Sequence, residues 1–429
     1  MTFVRTIGRW AMTGLVINCI IGSGIFGVTA ELIRLLGPAS PIAVVIAALM
    51  MAIIMACVAE VASSFTEPGG AYLYVRTAFG RFAGLQVGWF WLLATVGGGA
   101  AASVLDADYL GEFLPWAAHG WVRALLIATL ITVPAAVNYA VVRSGANLSN
   151  ALVVAKLLPI GLVIALGLPR LAHPTQVIGI TRLAASPWEA WLSALLLMLF
   201  CYSGYEDALV PLGEVKNPRR TVPFALAGGL LVSTLVYTFM QAVIVATVRS
   251  PVSERPLAEA ATLLMGSGSL FVKVAVIVSA YGLISASLLN APRLACAFAA
   301  HGDSPTFLGR LHPRFHTPGA AIVGCALVMW ALAATGSFLL VVALAAGSTM
   351  VVYGGVCAAL LRLRSTRQTV PGLRIPLGRA LAVSGIVISA LLLTRLEARE
   401  AVLMTVTALV ATVNWWWSRW RARAFGRPM

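Results

Sequence analysis

The residues with the most unusual spacing are Ile20-Ile21-Gly22-Ser23-Gly24-Ile25-Phe26-Gly27, three glycines and a serine within an otherwise apolar run. Each glycine weakens a helix by roughly 1 kcal/mol relative to alanine, so the run predicts a helix break. Backbone amides and carbonyls freed inside hydrocarbon survive only where they line a cavity or meet a polar ligand. The break is therefore a candidate binding site, and the competing reading is that the glycines let helices pack closely. A second run of the same kind is Phe200-Cys201-Tyr202-Ser203-Gly204-Tyr205-Glu206-Asp207, again a serine and a glycine at mid-depth, with two acidic residues just beyond. The third feature is Lys156, the one charge between Leu148 and Leu168. An ionisable residue at membrane depth is a functional candidate by default. Snorkelling is a poor escape for it, because about eight residues separate it from Asn147 at the end of the span.

These residues must be held by membrane-spanning helices. Of 429 residues, 60% are hydrophobic and 10% charged, far too apolar for a soluble globule of this length. A span needs about 20 apolar residues, and on that ruler the chain holds about twelve. The first five run from Met12 to Leu36, Ile42 to Phe65, Phe82 to Leu105, Trp121 to Val142 and Ala146 to Leu168. The next five run from Trp188 to Leu212, Val222 to Val248, Ser269 to Ala300, Ala320 to Ala334 and Ser337 to Leu361. Ala380 to Arg395 and Ala401 to Trp417 close the chain.

A net charge of +15 would point to nucleic acid in a soluble protein, but here its distribution points to the bilayer. With both termini in the cytoplasm, twenty of the 30 Lys and Arg residues fall on the inner side and nine on the outer, with Lys156 inside the membrane. This positive-inside bias favours a multi-pass inner or plasma membrane protein, and Trp415, Trp416 and Trp417 before the basic tail read as an interfacial aromatic belt. The first span lacks a small-residue cleavage site, which argues against a removable signal.

The remaining chemistry is sparse. The six cysteines all lie in apolar spans, outside any CxxC or CxxH pair, and read as small apolar filler. No long outer loop carries a cysteine, so no covalently linked partner subunit is expected. The five histidines lie in loops without ligand spacing, so no metal and no cofactor are implied. Walker, GxSxG and HExxH sequences are absent, which removes support for ATP-driven transport and for hydrolysis and points away from an enzyme.

Breaks at the first position of two successive five-span sets are the signature of an inverted-repeat transporter with its substrate near the midplane. The expected organisation is residues 1–168 as one repeat, 188–361 as the second, and 362–429 as two further spans with a basic tail. IIGSGIF, AEVASSFTEPGGAYLYVRTAFG, YSGYEDALVPLGEVKNPRRTVPFAL and RLACAFAAHGDSP together resemble the amino acid, polyamine and organocation permease superfamily, over about Gly8 to Leu361. The resemblance implies an all-α polytopic fold of ten core helices in a five-plus-five inverted repeat, with helices one and six broken and two helices added.

It also implies roles. The amides of the first break would receive the substrate carboxylate, here at Ile20, Gly22, Ser23 and Gly24, because a half-helix N-terminus offers bare donors and a positive dipole end. Carbonyls of Phe200, Cys201 and Ser203 would receive the ammonium, with Phe200, Tyr202 and Tyr205 as the aromatic surround. Lys156 would stand in for the cation that sodium-coupled relatives bind, with Ser285 and Ser287 as hydroxyl partners. It would serve either as a proton carrier, since burial favours its neutral form, or as a permanently charged pin. Glu206 would be a gating or proton-linked carboxylate, or a helix cap like Asp207. Glu60, Glu67, Glu214 and Arg76 at the inner rim would form a gate of ion pairs, or ordinary interfacial pairs.

The resulting expectation is a secondary amino acid transporter working by alternating access, with neutral substrates, no need of sodium and a possible proton symport. The alternatives are a cationic amino acid or polyamine carrier with Glu206 and Asp207 as counter-charges, and a membrane receptor or scaffold that transports nothing.

Overall fold

Where water is scarce the backbone must satisfy itself, which makes helix the default for long apolar runs. The computed structural model describes residues 7–65, 69–117, 119–140, 146–172, 186–209, 215–248, 255–315, 317–366 and 373–424. Among them are sixteen α-helices and, in place of a sheet, one isolated bridge between Ile7 and Val215. The first eight are α1 (Arg9–Ile20), α2 (Gly24–Leu36), α3 (Ser40–Ala62), α4 (Gly70–Phe79), α5 (Arg81–Phe113), α6 (Gly120–Ala140), α7 (Ala146–Ala172) and α8 (Pro187–Tyr202). The others are α9 (Tyr205–Ala208), α10 (Pro218–Thr247), α11 (Pro256–Met265), α12 (Ser269–Ala300), α13 (Gly319–Thr335), α14 (Phe338–Thr366), α15 (Gly378–Leu393) and α16 (Ala398–Ala424). Among the described residues, seven helical stretches are long and apolar enough to cross a membrane. The chain is an all-α polytopic membrane protein.

Both expected breaks are present, between α1 and α2 and between α8 and α9. In the sixth span α9 ends at Ala208, and residues 210–214, which include the expected end at Leu212, lie outside the described residues. Two short helices, α4 and α11, lie between spans where the apolar ruler reads only loops. They are ten residues each, half of what a crossing needs. The start of α4 needs glycine: Gly70 has φ +51°, and a Cβ there would come within 2.4 Å of the Trp91 ring.

The helices group into two compact units that are discontinuous along the chain. The first comprises residues 1–55, 104–123 and 145–283. In it α1 packs on α10 and α7, and α2 packs on α8. The α1 and α10 backbones approach closely because Gly229 leaves room: a Cβ there would lie 2.3 Å from Val16 Cγ1.

The second unit comprises residues 56–103, 124–144 and 284–429. Tyr72, Leu73, Leu85 and Phe298 form a buried cluster there, and Trp415 packs against it. The expected belt of three tryptophans is thus divided. Consecutive residues on a helix point about 100° apart, so Trp415 turns inward, edge-on to Phe82 at 5.1 Å, while Trp416 remains 66% exposed.

Candidate functional site

The first break is built by short-range turns. Ile21 leaves the helical region at ψ 82°, its amide still bonded to Ile17 O at 2.9 Å, and the Gly22 amide folds back onto Ile20 O at 2.8 Å. The chain re-enters a helix at Ser23. Because a helix cannot pair its first amides internally, those of Gly24 and Ile25 have no intrahelical acceptor. Ser23 does not cap them: its hydroxyl is fully buried and has no hydrogen-bond partner.

The carbonyl side of the break is, by contrast, well supplied with donors. The ammonium of Lys156 donates to Asn18 Oδ1 at 2.9 Å, to Ile21 O at 3.1 Å and to Asn18 O at 3.3 Å. A cation at a helix C-terminus meets the negative end of the dipole and unpaired carbonyls, so Lys156 seals the end of α1. The aliphatic part of Lys156 lines an apolar crevice with Phe26, Pro159, Ile160 and Leu257. Tyr237 on α10 adds a second seal, its single hydroxyl proton shared between Ile20 O at 2.9 Å and Cys201 O at 3.3 Å, and so joins the first break to the second.

In the second break Ser203 is extended, ψ 174°, and both its amide and its hydroxyl donate to Phe200 O, at 3.1 and 2.7 Å. Gly204 has φ +97°, and a Cβ there would sit 2.6 Å from Cys19 O. Conformation and contact both demand glycine where the two breaks meet. Glu206 Oε2 accepts the Gly204 amide at 3.1 Å, an interaction of the capping kind. The ring of Phe200 and the thiol of Cys201 lie over Gly24, at 3.0 and 3.3 Å from the position of a Cβ on that residue.

Ile20, Gly24, Phe200 and Cys201 are thus brought together, Ser203 bonds within the second break, and Lys156 is tied to the end of α1. Gly22 faces Leu283, 3.4 Å from where its Cβ would be. Tyr202 and Tyr205 are fully buried, and Tyr202 donates to Val44 O at 3.2 Å with its ring 5.3 Å from that of Tyr237. Ser285 and Ser287 lie in the second unit: Ser285 O accepts Asn138 Nδ2 at 3.1 Å, and Ser287 is buried beside Gly99.

Asn18 and Tyr237 escape the sequence reading. Asn18 lies three residues before Ile21, within one turn, a spacing that could have marked it, whereas nothing local marks Tyr237. At the rim, Glu60 holds Arg364 in a two-pronged pair at 2.6 Å. Arg76 pairs with the fully buried Asp303 at 3.0 Å, which Tyr72 and Arg81 also contact. Burial and the adjacent carboxylate push the Tyr72 phenol well above its ordinary range. Glu67 and Glu214 lie outside the described residues. Among the described residues no group of three or more His, Cys, Asp or Glu could hold a metal ion.

Two broken helices in an all-α membrane fold, the start of α2 facing the second break across the Phe200 ring, form the architecture of a membrane carrier. The family of proteins described as "Amino acid permease" matches residues 7–418, and the chain belongs to that family, within the amino acid, polyamine and organocation superfamily. It is an amino acid transporter. It is similar to the serine/threonine exchanger SteT of Bacillus subtilis (strain 168), 28% identical over 344 residues, 76% of each protein. It is also similar to the uncharacterized transporters Rv1999c of Mycobacterium tuberculosis and Mb2022c of Mycobacterium bovis. Each is 28% identical over 366 residues, covering 84% of this chain and 80% of the relative.

Proposed function

We propose that this protein carries small neutral amino acids across the cell membrane by alternating access, without sodium, with both termini in the cytoplasm. The observation that carries the reading is the mismatch at the first break: the Ser23 hydroxyl is buried without a hydrogen-bond partner and the first amides of α2 have no acceptor within their own helix, while the carbonyls of Ile20 and Ile21 already hold donors. What such a place takes is a carboxylate. The Phe200 carbonyl already accepts two bonds from Ser203 and the Cys201 carbonyl one from Tyr237, which leaves the Ser203 carbonyl and the second lone pair of Cys201 O for the substrate ammonium.

Neutral substrates are favoured because Glu206 is engaged with the Gly204 amide rather than held as a counter-charge. Small ones are favoured because the Phe200 ring lies directly on Gly24. The resemblance to a protein named as a serine/threonine exchanger supports both. The five-plus-five inverted repeat is the arrangement that would let two broken spans expose one site to either side.

The test is counterflow of labelled serine, threonine, alanine and leucine in proteoliposomes, with arginine and putrescine as competitors. Neutral amino acids displace the label and the cations do not. Displacement by arginine alone would replace this reading with a cationic carrier, and absence of any counterflow would leave a non-transporting membrane protein.

A further inference from the structure

Among the described residues, two acidic groups near α11 in the first unit are held in ion pairs, while Glu259 of α11 itself keeps one buried carboxyl oxygen, Oε2, without a hydrogen bond. Glu112 bridges Arg255 at 2.7 Å and Lys273 at 2.6 Å, and Asp108 pairs with Arg123 at 2.9 Å. Asp106, on the same helix α5, has neither kind of partner: its side chain is fully buried and both carboxyl oxygens lack a hydrogen bond. An ionised carboxylate without donors in a dry interior carries a heavy desolvation penalty, which it escapes by taking up a proton. Among the described residues no cation pairs with it. Tyr109, one turn further on, is fully buried with its own hydroxyl unpartnered, Tyr281 of α12 is the phenol within its electrostatic reach, and Arg255 stacks over the Tyr109 ring at 5.8 Å while engaged with Glu112.

We infer that Asp106 is a proton-binding site of this transporter, separate from Lys156, neutral in the closed state and ionised when its end of the first unit opens to water. In the step, the carboxyl O–H bond breaks, its electron pair stays on the oxygen, and the proton passes to solvent water. Reclosing requires the reverse. Closure of that end is thereby tied to uptake of one proton, and a fall in pH on that side favours the closed form. The inference rests on the alternating-access reading for its transport consequence, but the protonation state itself does not depend on transport.

Infrared spectroscopy of the purified protein in nanodiscs tests it at neutral pH. The wild type shows the carbonyl stretch of a protonated buried carboxyl, Asp106→Asn removes it, and Asp106→Glu moves its frequency while keeping it. In proteoliposomes, uptake by the wild type rises several-fold when the α11 side is made acidic, and Asp106→Asn flattens that response while exchange at symmetric pH continues. If Asp106→Asn does not fold, the wild-type band and its shift in Asp106→Glu carry the test. A neutral-pH spectrum without the band, or one that both substitutions leave unchanged, overturns the proposal. The band without any measurable transport would leave the proton site standing and remove the transport reading instead.

Discussion

Gly24 and Lys156 do opposite jobs at one break, and substitution separates them. A side chain at Gly24 would press into the Phe200 ring and the Cys201 thiol, so Gly24→Leu abolishes uptake while the protein still inserts and purifies as a monodisperse species. A substrate analogue lacking the carboxylate leaves the α2 amides dry, at a cost of about 1–3 kcal/mol, and competes correspondingly worse in the same uptake assay. Lys156 spends its three donors on Asn18 and Ile21. A second cation beside that ammonium would be repelled strongly at low effective dielectric, so uptake persists when choline replaces sodium at matched membrane potential, and a steep sodium requirement would refute the cation-surrogate role. Lys156→Ala strips the end of α1 of its donors, and slows uptake at every pH if the lysine is a pin or loses only the proton-driven part if it is a carrier. Lys156 was legible because a lone charge in an apolar run is visible without a structure. Its partners were not, because a carbonyl such as that of Ile21 carries no mark in the sequence.

At the level of elements, glycine and serine placed the two breaks, and those were readable because helix propensity is local. What joins the breaks was not readable. Tyr237 comes from α10 and reaches both Ile20 and Cys201, a contact between residues more than two hundred positions apart in the first case. Tyr237→Phe keeps the ring, leaves two buried carbonyls short of a donor, and lowers stability by about 1–3 kcal/mol, measured as a lower unfolding midpoint in detergent. Because the same hydroxyl holds the two breaks together, the variant also transports less per folded molecule. If its unfolding midpoint and its uptake both match the wild type, the bridge has no role. The short helices α4 and α11 were missed for a related reason: at ten residues each they fall below the length at which apolar content alone signals a span.

For the whole molecule, composition was enough to establish a polytopic helical membrane protein, since 60% hydrophobic residues leave few other folds open. Which helices group together was not legible, because the two units take alternating stretches of chain and packing partners are chosen by shape across long separations. The rim shows the same limit. The sequence marked Glu60 and Arg76 but paired neither with its partner, Arg364 or Asp303. Asp303 collects Arg76, Arg81 and Tyr72, binding α4 and the start of α5 to the loop after α12. Asp303→Asn leaves two arginines without their carboxylate, and since these are 26% and 22% exposed the loss falls at the lower end of about 3–5 kcal/mol. Thermal unfolding in detergent reads that loss, and proteolysis between α4 and α5 accelerates with it.

The sealing of α1 makes the two halves of the first span mechanically unequal. Its carbonyl end is moored through Lys156 to α7 and through Tyr237 to α10, while the start of α2 rests on apolar contact with Phe200 and Cys201. A hinge placed at Gly22 and Ser23 therefore has one fixed leaf and one compliant leaf. On the proposed function, arrival of a carboxylate at Gly24 and Ile25 would give the compliant leaf a polar mooring, so the substrate itself would stiffen that half of the span. Empty and loaded carriers then differ chiefly in the compliance of α2, with the α1 leaf as the stationary post.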